Sequence, residues 1–349
     1  MRRKRTIYFN DARHYYLFVF EPPMKMEDAW RPVDEVTGTP VDTFIYGVAR
    51  GDGLYYPSKV GRRFKYGGED TEFRLAAYWR VWHNMQSLID RGLDPLTVLI
   101  DRAHEKGMDF FASLRLGESG GLDPSFQVGR GGRGFGDPEV RDFLFALLEE
   151  LAMQYETEGV ELDYPAGPRE FFRDEDVRES APVMTEWVKK VSEMVRQRPG
   201  KPGQLGARVF PTEALNLAKG LDVRGWLREG LLDYVTPLIY GANNVECNMP
   251  IDWLVEAAHE CEASVYPMVQ PDHHGEDERR FHTREHASSA MMRAAAANFW
   301  DRGADGMYTW FLRWPLGDAE RGILADLGDP DLAKNGDKHY LITGDSQAA

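Results

Sequence analysis

Eight short runs rich in β-branched and aromatic residues recur along the chain, at 6–9, 41–48, 108–116, 159–165, 204–210, 233–240, 263–269 and 306–312. Most are separated by a helix-length segment. Alternation of strand and helix implies a parallel sheet, and eight units imply that the sheet closes on itself. The expected architecture is α/β, a (β/α)8 TIM barrel in one domain over 1–328 with long loops after the strands. A polar tail over 329–349 follows. A length of 349 residues suits such a barrel with insertions. The alternative is an open doubly wound sheet. It loses its main support because no Gly-x-Gly-x-x-Gly follows the first run.

Local signals agree with this alternation. Asp137-Pro138 reads as an N-cap with a first-turn proline. Val140, Phe143, Leu144, Leu147, Leu148 and Leu151 then hold one apolar stripe at helical spacing. Pro95 opens another helix and Gly107 stops it. Residues 21–41 carry several prolines and read as a connection, and 284–302 read as one long Ala-rich helix. Residues 117–136 are Gly-rich and too long for a plain connection, which suggests an active-site loop.

The run Gly159-Val160-Glu161-Leu162-Asp163-Tyr164-Pro165 carries the chemistry. Strand side chains alternate with a period of two, so Glu161 and Asp163 share one face. In a barrel that face looks into the mouth, where acids at the C-terminal end of a strand read as catalytic. The other reading is that arginines pair with both acids as a structural network. Residues two apart on a strand are about 6.6 Å apart at the backbone. Glycoside hydrolysis uses carboxyl groups about 5–5.5 Å apart when retaining and about 6.5–9.5 Å apart when inverting. The two acids could therefore work together, or either could work with an acid from another strand. Close like charges would raise one of the two pKa values, as a general acid requires.

The remaining strand ends supply a polar and aromatic set. It comprises Asn10, Asp11, Arg13 and His14 after the first strand, and Arg115 and Glu118 after the third. Arg208 and Glu213 follow the fifth, Tyr240 and Asn243 the sixth, Gln270 and His273 the seventh, and Trp310 and Arg313 the eighth. Polar groups that bind hydroxyls, with aromatic faces to cover sugar rings, read as a carbohydrate site. Arg13, Arg115, Arg208 and Arg313 near strand ends raise the expectation of an anionic glycan, since guanidinium suits carboxylate or sulfate. The alternative is that these arginines only hold the neighbouring acids.

Other function classes are disfavoured. A net charge of −15 argues against nucleic acid. Cys247 and Cys261, the two cysteines, form neither a disulfide framework nor a zinc spacing. No cofactor or metal is expected. His273 and His274 are adjacent, and neighbours on an extended segment point to opposite faces. There is no His-Glu-x-x-His motif, nucleophile elbow or P-loop. No apolar run reaches the length of a signal peptide or a membrane span, and the expected location is cytoplasmic.

With these residues in view, the chain resembles the family-ten glycosyl-hydrolase-like proteins, a broad bacterial set of barrels of largely unassigned activity. The resemblance rests on Phe9-Asn10-Asp11, Pro40-Val41-Asp42-Thr43, Phe111-Ala112-Ser113-Leu114-Arg115, and Gly159 through Pro165 followed by Phe171-Phe172. Gly220-Leu221-Asp222-Val223 with Trp226, and Lys338-His339-Tyr340, extend it. It implies a barrel and a glycosidase-like activity on an oligo- or polysaccharide. Similar proteins carry a Met-Asn-Asp-x-His type run after the third strand, where this chain has Leu116-Gly117-Glu118-Ser119. Many glycosidase barrels place catalytic glutamates after strands four and seven, whereas strand seven here ends in Val269-Gln270. An aspartate-based mechanism centred on Asp163, with Glu161, fits better than a two-glutamate one. A non-catalytic glycan-binding barrel, a metal-assisted hydrolase or isomerase, and a lyase remain as other readings.

Overall fold

The computed structural model describes residues 3–11, 16–50, 53–64, 75–117, 133–165, 171–173, 176–239, 244–274 and 284–341. Its central sheet contains β1 (Arg5–Asp11), β2 (Thr43–Gly47), β3 (Asp109–Arg115), β4 (Gly159–Asp163), β5 (Gln204–Val209) and β6 (Tyr234–Pro237). The seventh strand, β7, is split into Ser264–Val265 and Met268–Val269, and β8 is Gly306–Trp310. All neighbours in this sheet run parallel.

Closure is visible at β7. Its first half pairs with β6 and its second half with β8. Between them Tyr266 N–H donates to Val235 O at 3.0 Å, and Pro267 O accepts from Tyr308 N–H at 3.1 Å. Pro267 has no N–H to donate, which accounts for the interrupted ladder. The register confirms the geometry. Asp11 lies opposite Gly47, then Ser113, Glu161, Gly206, Tyr234 and Ser264 in turn. Met268 opposite Tyr308 and Gly306 opposite Arg5 carry the path back to position 3, eight residues from its start at position 11. Eight strands with a shear of eight define the TIM barrel.

Alternation then sorts side chains into two layers. Ile7, Phe9, Ile45, Phe111, Met268 and Trp310 pack within the lumen. Residues of opposite parity, such as Tyr8, Phe44, Val160 and Leu162, join the larger core between sheet and helices. In helix Pro138–Met153 the Asp137 carboxylate accepts from Glu139 N–H at 2.9 Å, and Val140, Leu144, Leu147, Leu148 and Leu151 are buried. Burying a side chain of that size is worth about 1.5–3 kcal/mol, so this stripe fixes the helix on β4. The carboxylate of Glu150, on the same helix, accepts from Tyr56 O–H, Ser58 O–H and Lys59 N–H at 2.9, 2.5 and 2.6 Å, which ties down the segment after β2. At the N-terminal end of the barrel Arg5 plugs the lumen, donating to Thr43 Oγ1 and Gln204 Oε1 at 2.9 Å each and pairing with Asp109.

Two segments differ from the sequence reading. The stretch read as a connection holds helix Met26–Asp34, because Ala29, Pro32 and Val33 together bury one face. The long helix expected over 284–302 begins only at Ser289, capped by the Ser288 hydroxyl. Its first residues, Arg284–His286, instead pair antiparallel with Asp272–His274. The chain after the barrel forms helix Pro330–Asn335, capped by Asp329 and buried at Ala333. Among the described residues no helix is long and apolar enough to cross a membrane.

Gly206 lies between Glu161 and Tyr234 in the register, and a Cβ there would come within 1.9 Å of the Tyr234 ring. Gly206→Ala should therefore lower stability by about 1–3 kcal/mol, the usual range for overpacking, read from urea unfolding. An unchanged midpoint would show that the Tyr234 ring does not cross this position.

Candidate active site

Glu161 and Asp163 both point into the lumen from β4, and neither has exposed surface. Their surroundings differ. Asp163 Oδ2 accepts from Arg208 Nη1 at 2.8 Å, and Arg115 Nε lies 3.8 Å from the same oxygen. Arg115 Nη2 donates in turn to Asp11 Oδ2 at 2.9 Å. A chain of alternating charge thus runs Asp11, Arg115, Asp163, Arg208 and links β1, β3, β4 and β5 near their C-terminal ends. Aromatic faces complete the shell. The Arg208 guanidinium carbon is 4.9 Å from the Phe9 ring centre, 5.6 Å from Trp310 and 5.8 Å from Tyr308. These distances are within cation–π range. Space for this group comes from Gly47, where a Cβ would lie 2.9 Å from both Asp11 Cβ and Phe9 Cζ.

Glu161 is held by phenols rather than guanidinium groups. Tyr234 O–H donates to Oε2 at 3.2 Å and Tyr308 O–H donates to Oε1 at 3.1 Å. Burial pushes its carboxyl up to about 7, against the pull of Arg208, and the negative charge of Asp163 adds to the rise. One strand therefore presents one carboxyl clamped by positive charge and a second, deeper one poised to carry a proton near neutrality.

The structure brings together Asp11, Arg115, Glu161, Asp163, Arg208, Gln270 and Trp310 as buried groups at or near the mouth end of the lumen. It separates four others expected there. Asn10 has the opposite parity to Asp11; it lies across from Tyr46 and faces the helical layer. Glu213 starts helix Glu213–Ala218 and accepts from Arg224 at 2.6 and 2.9 Å, which holds its carboxyl below the usual value. His273 is on the hairpin after β7, 3.7 Å from Glu285. Arg313 is exposed beyond β8. Arg13, His14, Glu118, Tyr240 and Asn243 lie outside the described residues. Among those described, no group of three or more His, Cys, Asp or Glu side chains could hold a metal ion. Sequence reading missed Tyr234 and Tyr308, which resemble ordinary core aromatics. Their inward parity on β6 and β8 was the available signal.

These features define a class of protein by fold, a TIM barrel, and comparison with known proteins agrees. No family model matches the chain. Glycosyl hydrolase YngK of Bacillus subtilis (strain 168) is 25% identical over 218 residues, covering 47% of this chain and 42% of that protein. The match thus spans less than half the length of this relative. The endo-β-1,4-mannanase of Thermotoga petrophila superposes with a TM-score of 0.58 at 11% identity, covering 96% of this chain and 78% of that one. The C-terminal domain of a putative chitinase from Desulfitobacterium hafniense DCB-2 gives 0.56 at 12% identity, covering 93% and 99%. At such identities the likeness to the solved structures shows the fold.

The raised carboxyl of Glu161 has a consequence for stability. Between its ordinary value of 4.5 and about 7 the folded chain keeps a proton that the unfolded chain has released. The contribution of this group to stability therefore falls as pH rises through that window and is flat above it, by roughly 3 kcal/mol in all. Glu161→Gln cannot ionise. Its melting temperature should gain on the wild type from about pH 5 to about pH 8. Parallel melting curves across that range would place the Glu161 pKa outside the window.

Proposed function

We propose that this chain is a glycoside hydrolase acting on an oligo- or polysaccharide, with Asp163 as the reacting carboxylate. One observation carries the reading. Asp163 stands at the C-terminal end of a barrel strand, inside a glycosidase-like TIM barrel, held by two arginines beneath an aromatic wall. That end of the barrel is where barrel enzymes do their chemistry. The finer placement among family-ten glycosyl-hydrolase-like proteins rests on the sequence motifs alone.

Hydrolysis of a glycosidic bond builds positive charge on the sugar ring and requires a proton on the leaving oxygen. A carboxylate fixed by Arg208 and Arg115 is suited to face that charge, because its position is set before the substrate arrives. Glu161, two residues deeper and raised to about 7, is suited to hold or pass a proton. Tyr234 and Tyr308 orient it. Carboxylate chemistry of this kind needs no metal.

Asp163→Asn should lower kcat by about 10²–10⁴-fold with little change in KM, since the acid acts mainly in the transition state. The measurement is turnover on whichever member of a glycan panel the wild type hydrolyses, with thermal melting as the folding control. A folded Asp163→Asn protein with wild-type turnover would remove Asp163 from the mechanism. Complete burial of both acids favours one second reading, a glycan-binding barrel without catalysis. In that case no glycan is cleaved and the substitution only weakens binding. Chelation followed by dialysis should leave turnover unchanged, and loss of activity restored by added zinc or manganese would favour the metal-assisted alternative.

A further inference from the structure

Three neighbouring strands end in buried polar atoms that have no partner among the described residues. These are Arg208 Nε on β5, Thr236 Oγ1 on β6 and Gln270 Oε1 just beyond β7. None of the three residues is more than 3% exposed. Arg208 and Thr236 are directly opposite in the parallel register. Gln270 follows Met268 by two residues, and the Met268 Sδ is 3.7 Å from Arg208 Nη2. The rest of each side chain is pinned. Arg208 Nη1 is committed to Asp163. The Gln270 Nε2 amide donates to Ile239 O, which leaves its carbonyl oxygen as the open acceptor.

Three such atoms left without partners on neighbouring strands are unfavourable, because a buried polar group without a partner loses its hydration and gains nothing in return. The three unmet valences also have a chemical identity. Arg208 Nε–H donates, Gln270 Oε1 accepts, and the Thr236 hydroxyl does either. A sugar hydroxyl donates and accepts, so two adjacent ones can satisfy all three. A carboxylate or sulfate only accepts, and would meet the Gln270 oxygen without a proton to share. The guanidinium charge that could attract an anion is already opposed by Asp163, and that of Arg115 by Asp11.

We propose that Arg208, Thr236 and Gln270 form a subsite for adjacent hydroxyl groups of an uncharged pyranose, beside Asp163. This deepens the glycosidase reading and rests on it. It makes the substrate a neutral glycan rather than the anionic one suggested by the count of arginines. Thr236, which no motif singles out, becomes a specificity-determining residue.

The test is thermal shift and calorimetric titration with glucose, mannose, galactose, N-acetylglucosamine and glucuronate, together with deoxy counterparts of the neutral sugars. At least one neutral sugar should stabilise the wild type, its deoxy counterpart should bind less well, and glucuronate should bind no better than glucose. Thr236→Val should weaken that sugar about tenfold, the equivalent of one lost hydrogen bond, while Thr236→Ser retains it. Without sugar, Thr236→Val should melt no lower than the wild type, because the hydroxyl it removes has no partner to lose. Gln270→Leu should weaken binding likewise, and Thr236→Val decides the matter if that protein does not fold. Lower melting of free Thr236→Val with sugar binding intact would mean that the hydroxyl serves an internal water only, and would overturn the proposal. Preference for glucuronate, or no response to any neutral sugar, would do the same. The two readings fail separately. If Asp163→Asn abolishes turnover while Thr236→Val binds like the wild type, the subsite is wrong and the hydrolase stands. If Thr236→Val loses the sugar but the wild type cleaves no glycan, the subsite stands and hydrolysis falls.

Discussion

The ion pair between Asp163 and Arg208, 2.8 Å long and without exposed surface, is the contact around which the mouth of this barrel is arranged. Two charges removed from water are costly unless geometry and further hydrogen bonds compensate. Here compensation comes from three directions. Arg115 extends the pair to Asp11, the Phe9, Tyr308 and Trp310 faces surround the guanidinium, and Met268 offers a polarisable sulfur. Because these groups come from β1, β3, β4, β5, β7 and β8, the compensation is complete only when the cylinder is closed. A charge network spread over these strands also penalises misregistered sheets, since a slip would part a buried carboxylate from its guanidinium.

The two acids of β4 show how a single strand can hold carboxyl groups in different states. Asp163 meets guanidinium groups; Glu161 meets two phenols and sits deeper in the barrel. Phenols donate hydrogen bonds but bring no charge, so burial dominates and the Glu161 carboxyl rises. Two glycines make the packing possible. Gly206 lets the Tyr234 ring cross β5 to reach Glu161, and Gly47 leaves room for Phe9 and Asp11. The lumen is therefore a packed aromatic core with a charged upper end.

Much of the fold was legible because it is written in local period. Eight apolar runs, the cap at Asp137-Pro138 and the stripe from Val140 to Leu151 all follow from spacing, and each appears in the structure. Local signals failed where a neighbour in space decided the outcome. Arg284–His286 carries no strong strand pattern, and only the partner strand Asp272–His274 makes it extended. The Met26–Asp34 helix contains Pro32, and burial of its apolar face overrides the turn signal of the prolines. In the candidate site, Asp11, Arg115 and Arg208 were chosen for their positions at strand ends, and the structure joins them in one network with Asp163. Asn10 and Glu213 were included on the same ground and belong elsewhere, the first by parity and the second through its bond to Arg224.

The sequence by itself determined which side chains share a face, because strand alternation is a property of the backbone alone. Glu161 and Asp163 had to point the same way, and so did Arg115 with Ser113 and Phe111. Which faces meet was decided only by the tertiary structure. A shear of eight sets Glu161 opposite Gly206 and carries Tyr234 and Tyr308 to it from distant parts of the chain. It also sets Arg208 opposite Thr236 and beside Asp163. No pattern within one strand encodes that stagger, because it is fixed when the last strand pairs with the first and the ring of hydrogen bonds must close.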